Sequence, residues 1–246
     1  MKNKVNINSI SYNAYDEMAE YYYKFVDTKP YNAMYERPAL LSLLPNVENK
    51  TVLDAGCAAG WYTKWLLDKG SNPIAIDFNK NMVDFTRLRT QSKCQVVQAD
   101  LNEPLDFIPD NSIDIILSSL TLHYIKNWSF VFDQFYKKLR NGGLLVFSTH
   151  HPFMDFHLFD EIKNYFETTI LHDTWTTDKG KVEVDFYRRP LQDIINPLIQ
   201  NGFRIQEILE PLPTNEFKKH SPKTYQRLSN NPQFLFVKAK KICPKE

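Results

Sequence analysis

Val52-Leu53-Asp54-Ala55-Gly56-Cys57-Ala58-Ala59-Gly60 decides how this chain is read. Thr51 to Leu53 is a short apolar, β-branched run, and Tyr62, Trp65 and Leu66 follow Gly60 at helical spacing. The small-residue loop therefore falls where a buried parallel strand hands over to its crossover helix. Small residues there let a ligand approach the backbone. The helix start beyond them offers unpaired N–H groups and partial positive charge to the anionic end of a ligand. Ile74-Ala75-Ile76 then ends in Asp77, roughly twenty residues after Gly56, the separation at which an acid on the second strand tip meets a ribose. Two strand tips thus converge on one nucleoside, and the stretch predicts a nucleotide-cofactor site.

From Thr51 to Thr149 strands and helices alternate, the pattern of a doubly wound, Rossmann-like α/β sheet. Strands are expected at 51–54, 73–76, 95–98, 113–118 and 143–149, and helices at 60–69, 79–90 and 128–140. Right-handed crossovers put the strand C-termini on one edge, so Asp54, Asp77, Asp100 and Ser118-Ser119 should cluster. Upstream, Tyr15, Met18, Ala19, Tyr22 and Val26 share one helical face over 12–27, and a second helix through Leu40 to Leu44 closes at Pro45. Downstream, runs around Thr168 to Thr176 and Lys181 to Tyr187, joined through Asp178-Lys179-Gly180, read as a β-hairpin. A helix over about 191–201 and strands at 203–209 and 233–239 complete the chain, the two strands separated by a polar, Pro-rich loop, 211–232.

A dinucleotide fingerprint has the order G-x-G-x-x-G, whereas here it is Asp54-x-Gly56-x-Ala58-x-Gly60. That order resembles motif I of the class I S-adenosylmethionine (SAM)-dependent methyltransferases, with Ala58 at the middle glycine. Asp77, Gln98-Ala99-Asp100 and Leu139-Arg140-Asn141-Gly142-Gly143-Leu144 resemble the same family in the same order, with Asn141 where the family usually has Pro. The resemblance implies a seven-stranded methyltransferase sheet with an N-terminal helical cap and a β-hairpin-containing insert after the fifth strand. It also implies transfer of the SAM methyl group to a small-molecule acceptor, leaving S-adenosylhomocysteine. The expected organisation is one methyltransferase domain over 1–246: cap 1–49, SAM-binding core 50–149, substrate-side insert 150–189 and C-terminal part of the sheet 190–246. Two other readings of the same scaffold stay open: a SAM-binding regulatory or partner protein without turnover, and a nicotinamide-dependent oxidoreductase.

Within that reading Asp77 accepts from both ribose hydroxyls, a contact that suits an ionised acceptor. By resemblance, Asp100 accepts from the adenine amino group while Phe78 and Leu101 flank the ring, and Tyr15 of the cap borders the cofactor. Gly56, Cys57 and Gly60 belong to the cofactor loop, and Asp54 either orders that loop or faces the ligand's ammonium group. Ser119 through Tyr124 resembles the stretch that passes beside the methionine moiety. His151 and, second, His123 are general-base candidates by their position near strand C-termini, each with a packing role as the alternative.

The insert concentrates four of the six histidines among many aromatics. Trp175, Tyr187 and Arg188 are its substrate-binding candidates, with Arg188-Arg189 either clamping an anionic substrate group or forming a surface basic pair. No histidine or cysteine spacing places two metal ligands on one face, so no metal is expected. Lys plus Arg (30) balance Asp plus Glu (29), which leaves no broad footprint for nucleic acid or membrane. Three widely spaced cysteines, Cys57, Cys94 and Cys243, argue against a disulfide framework. Met1-Lys2-Asn3-Lys4 opens no apolar signal segment, and a cytoplasmic location is expected. The sequence carries no signal of oligomeric state.

Overall fold

The computed structural model describes residues 10–242; Met1 to Lys4, Cys243 and the end of the Lys-rich tail lie outside them. Helix α1 (Tyr12–Phe25) buries Ala14, Tyr15, Met18 and Ala19, the face that its apolar spacing marks. A π-helical turn (Asn32–Glu36) runs directly into α2 (Arg37–Leu43). Then β1 (Thr51–Ala55), α3 (Trp61–Asp68), β2 (Asn72–Asp77), α4 (Lys80–Thr90), β3 (Gln95–Gln98) and β4 (Ile113–Ser118) alternate. Asn79 caps α4 by accepting from the Met82 amide, and Asn127 caps α5 (Trp128–Lys138) by accepting from Phe130, each satisfying an otherwise unpaired N–H.

Strand β5 (Leu139–His150) starts where α5 stops, earlier than the 143 expected. Arg140 to Gly143 therefore lie inside the strand, where the register against β4 shifts between Ile113 and Ile115. Gly142 takes φ +79°, and a Cβ on Gly143 would sit 2.9 Å from the Arg140 carbonyl oxygen. The glycine pair builds a β-bulge.

After β5 comes a short helix that the sequence did not suggest, α6 (Pro152–Leu158). The predicted hairpin follows as β6 (Thr169–Thr177) and β7 (Gly180–Arg188), paired from Thr169↔Arg188 to Thr177↔Gly180 as a separate two-stranded sheet. Its inward residues Leu171, Val182, Val184 and Phe186 pack in one buried cluster with α1. Helix α7 (Leu191–Gln200) and β8 (Phe203–Leu209) lead to 211–232, which is not a bare loop. It holds α8 (Asn215–His220) and α9 (Pro222–Asn230) before β9 (Phe234–Lys241). Thr214 caps α8, Pro222 opens α9, and Phe217 and Leu228 anchor both helices among Tyr35, Phe234 and Phe236.

The seven-stranded sheet runs β3-β2-β1-β4-β5-β9-β8. Neighbours from β3 to β5 are parallel, while β9 is antiparallel to both β5 and β8. One face carries Trp128, Phe132 and Phe135 of α5 with Ile194 and Leu198 of α7. The other carries α2, Tyr62 and Leu66 of α3, and the α8–α9 pair. With both faces covered, binding is confined to the C-terminal edge of the strands, at the β1/β4 switch point. Among the described residues, no helix is long and apolar enough to cross a membrane.

Candidate functional site

The loop after β1 turns at Gly56, φ +84°, where a Cβ would lie 2.2 Å from Thr121 Oγ1. Gly56 and Cys57 both donate their amides to the Ile76 carbonyl, each at 2.9 Å, fastening the loop to β2. Ala58 holds the next left-handed position at φ +45° despite its side chain, a conformation that costs an alanine about 1 kcal/mol. Its amide donates to Asp77 Oδ2 at 2.9 Å, and its carbonyl accepts from Thr86 Oγ1 at 2.7 Å. Gly60 serves helix packing instead, since a Cβ there would come within 2.9 Å of Thr86 Cα; its bare backbone allows α3 to approach α4. Asp54 is buried behind the loop, accepting from Thr63 Oγ1 at 2.6 Å. Burial pushes its carboxyl up to about 7. Asp54 and Gly60 line neither lobe of the cleft described next.

A cleft opens at the strand tips. At one end stand Asp77, Phe78, Asp100 and Leu101, over Ile76 and Ala99. Asp77 also accepts from the Asn79 amide at 2.9 Å. Burial lifts its carboxyl to about 6, against the opposing pull of the Asn79, Ala58 and Phe78 amides. Asp100 Oδ1 accepts from the Asn102 amide at 2.9 Å and the Asn102 side chain at 2.8 Å. The lining is also aromatic and hydroxyl-rich, with Tyr15, Tyr22, Ser119, Thr121 and Tyr124. The Tyr15 and Tyr124 hydroxyls pair at 2.8 Å, and burial raises the pKa of both and takes Tyr22 up to about 12. These phenols stay protonated at neutral pH.

A second lobe joins the first through Tyr22, Gly56, Ala58 and Ser119, and is lined further by Cys57, Asn32, Glu36, Arg37 and Tyr62. Glu36 is buried on the π-helical turn. Its Oε1 accepts from Ser119 at 2.8 Å and Ser148 at 2.6 Å, and its Oε2 from Tyr62 at 2.8 Å. Arg37 donates to the Val26 and Asp27 carbonyls and stacks 4.2 Å over Trp61.

The structure brings Tyr15, Gly56, Asp77, Phe78, Asp100, Leu101 and Ser119 together around the main cavity and Cys57 around the second lobe. It does not bring the insert there: no residue of 150–189 lines either lobe. His123 is buried in a stack 4.2 Å from His150 and edge-on to Phe186. Burial drives its pKa well below the usual histidine range, which makes it a poor proton acceptor. His151 is buried with Nε2 2.6 Å from Glu210 Oε1, turned toward the chain after β8. Trp175 backs onto Tyr15, ring centroids 6.4 Å apart, with Nε1 donating to Asp173. Tyr187, paired with Ile170, alternates with the inward residues of β7 and so stands on the hairpin's other face. Arg188 is 1% exposed. Its guanidinium donates to the Pro152, Tyr165 and Glu167 carbonyls and stacks 4.3 Å from the Tyr165 ring. That fork folds the insert onto itself and has no opening to a substrate.

Sequence reasoning did not select Glu36 or Arg37 as site residues; Tyr22 lay in the cap helix, and Thr121 and Tyr124 in the stretch expected beside the methionine moiety, without being singled out. Tyr22 had a signal, since it lies two helical turns from Tyr15 on the same face; Glu36-Arg37 lies in no motif. Among the described residues, no group of three or more histidine, cysteine or acidic side chains is arranged to hold a metal ion.

Residues 53–147 match the methyltransferase domain family. A Haemophilus influenzae protein described as uncharacterized is 30% identical over 96% of this chain and 98% of its own. The malonyl-[acyl-carrier protein] O-methyltransferase of Buchnera aphidicola is 36% identical, over 45% of this chain and 43% of its own, so the match spans under half of that enzyme. A Listeria monocytogenes structure described as an S-adenosylmethionine-dependent methyltransferase superposes with TM-score 0.73, at 27% identity, over 84% of this chain and 96% of its own. The fold and the site define a nucleotide-cofactor enzyme of the Rossmann-like class. The chain belongs to the class I SAM-dependent methyltransferases, and its cofactor is SAM.

Proposed function

We propose that the chain transfers the SAM methyl group to a small-molecule acceptor held between α1 and the turn 122–125. The observation that carries this reading is the tyrosine-rich lining of the cleft. There Tyr15 and Tyr22 of α1 face Ser119, Thr121 and Tyr124 across the strand tips, and the β6–β7 hairpin braces α1 from behind. A narrow aromatic space with few charges suits a small organic acceptor better than a nucleic-acid strand. One feature supports the fit of SAM itself: the two acids, Asp77 and Asp100, at successive strand tips along the cleft.

In this reading Asp77 accepts from the ribose hydroxyls with the lone pairs that its backbone donors leave. Asp100, Phe78 and Leu101 enclose the adenine. The amide-fastened loop through Gly56 and Cys57 carries the methionine end toward Ser119, while Asp54 holds the loop from behind. When bound, SAM supplies a methyl group already activated by its sulfonium leaving group. The protein then has to align the partners and exclude water, contributions large enough to carry such a transfer. Tyr15 and Tyr124, holding each other by their hydroxyls, fix the acceptor's approach. The malonyl-[acyl-carrier protein] relative keeps a carrier-bound acceptor as the second possibility.

The test is to supply trideuteromethyl-SAM with the dialysable fraction of a cell extract and, separately, with its protein and nucleic-acid fractions. Label is expected in the dialysable fraction. Label confined to the macromolecular fractions would refute the small-molecule reading.

A further inference from the structure

We propose that Glu36 receives the proton that the acceptor releases on methylation, by way of the Ser119 hydroxyl, so that the acceptor is a hydroxyl or amine group. The inference rests on the methyl transfer proposed above and concerns where the proton goes. An O–H or N–H acceptor must lose a proton when its lone pair takes the methyl, and a nearby group able to take it eases the transfer.

The histidines do not meet that need, because His123 and His151 line neither lobe of the cleft. Of the carboxyl groups that do, Asp77 and Asp100 stand at the nucleoside end, bound to loop amides and to Asn102. Glu36 alone, among the described residues, brings a carboxylate to the β4–β5 side of the cleft. Its link to the reaction space is Ser119, which lines both lobes and donates to Glu36 Oε1 at 2.8 Å. Ser148 at the end of β5 and Tyr62 of α3 hold the carboxylate in place. These three donors leave room for one more hydrogen bond on a carboxylate. The turn that carries Glu36 is π-helical, a geometry frequent at functional sites.

In the step, the acceptor lone pair forms the bond to the methyl carbon, and the carbon–sulfur bond breaks with its electron pair passing to sulfur, giving the neutral thioether. The acceptor's proton passes to Ser119 Oγ as the Ser119 proton passes to Glu36 Oε1. Glu36 is left neutral until product release lets it discharge the proton to water. Burial raises the Glu36 pKa, while Ser148, Ser119, Tyr62 and Arg37 pull it down. The net direction is upward, which makes Glu36 a stronger proton acceptor than an ordinary carboxylate.

Two measurements on the full chain test this. The first follows the Glu36 carboxyl by infrared difference spectroscopy against pH with S-adenosylhomocysteine bound, using Glu36→Gln to assign the band. A titration above the ordinary carboxyl range is expected. A carboxylate still ionised at pH 4, or neutral throughout, would overturn the proposal. The second measures turnover on whichever extract fraction the wild type labels. Glu36→Gln should lower kcat about 10²–10⁴-fold and remove the acidic limb of the pH–rate profile, with SAM affinity held within about threefold. Ser119→Ala, which leaves Glu36 its Ser148 and Tyr62 partners, should lower kcat in the same way. A raised KM with the pH profile intact in both variants would make Glu36 a structural support for the turn and sink the proposal. A base-labile methyl ester as the labelled product would also overturn it while leaving the methyltransferase reading standing.

Discussion

Asp77 joins the two halves of the nucleoside end, because one carboxylate fixes the Ala58 amide of the β1 loop and the Asn79 amide that opens α4. Its pKa of about 6 gives SAM binding a pH dependence whose sign is set by chemistry. If Asp77 takes the ribose hydroxyls as proposed, they donate to its ionised form, binding expels the proton, and Kd should rise about tenfold per pH unit as pH falls well below 6. Asp77→Asn should flatten that slope and weaken binding at pH 8 by about 1.5–3 kcal/mol. Calorimetry at pH 5, 6.5 and 8 on both proteins checks it, and parallel slopes would take the ribose contact away from Asp77.

Asp54 bears on stability, with the opposite sign. Its folded pKa of about 7 lies above an unfolded value near 4. The native state therefore binds the proton more tightly, and stability is lost as pH rises from about 4 to 7. Asp54→Asn should melt above the wild type at pH 8, with the gap closing toward pH 4. The histidines carry a third expectation: His123→Gln and His151→Gln should each keep kcat within about tenfold, against the 10²–10⁴ of a lost general base. A larger loss with a flattened pH profile would return the histidine concerned to the reaction.

The β6–β7 hairpin is the element whose role the sequence left misread. Its alternation gave the strands and their turn, but not which surface the inward face would meet. That face meets α1, with Ser11 donating to the Asp185 carbonyl and accepting from the Asp185 amide. The insert therefore supports the wall of the site from behind. Phe186 is buried against His123, His150 and Phe159, and Phe186→Ala should cost about 3–5 kcal/mol. Because the loss falls on the brace of α1, hydrogen exchange over 12–25 should quicken more than over β1 or β4; uniform quickening would mean that the hairpin does not brace α1 in particular.

The helices α8 and α9 were hidden for a related reason. Their start signals, Thr214 before Phe217 and Ser221-Pro222, are local, but each helix buries a single large residue and offers no long apolar stripe. Glu36 was the least legible residue of all, since its partners come from α3, β4 and β5, and only the assembled fold brings them together. The placement of Asp77 and Asp100 at strand tips along the cleft was legible because they sit at fixed distances along βα units, where sequence spacing translates directly into position at a strand tip.

At the scale of the whole molecule, a sheet covered on both faces leaves one edge open, and α1 with its hairpin brace covers part of that edge. In the proposed function, Asp77 and Asp100 hold the nucleoside while the tyrosines of the same cleft line the acceptor space. The proposed function follows from this arrangement: methyl transfer from SAM onto an acceptor small enough to enter beneath α1. The most direct measurement is mass spectrometry of the dialysable extract after incubation with trideuteromethyl-SAM and the full chain. A small molecule should gain a trideuteromethyl group in place of hydrogen, together with matching S-adenosylhomocysteine, and both signals should fall sharply with Asp77→Ala. SAM binding without any labelled product in the dialysable, protein or nucleic-acid fractions would contradict the account.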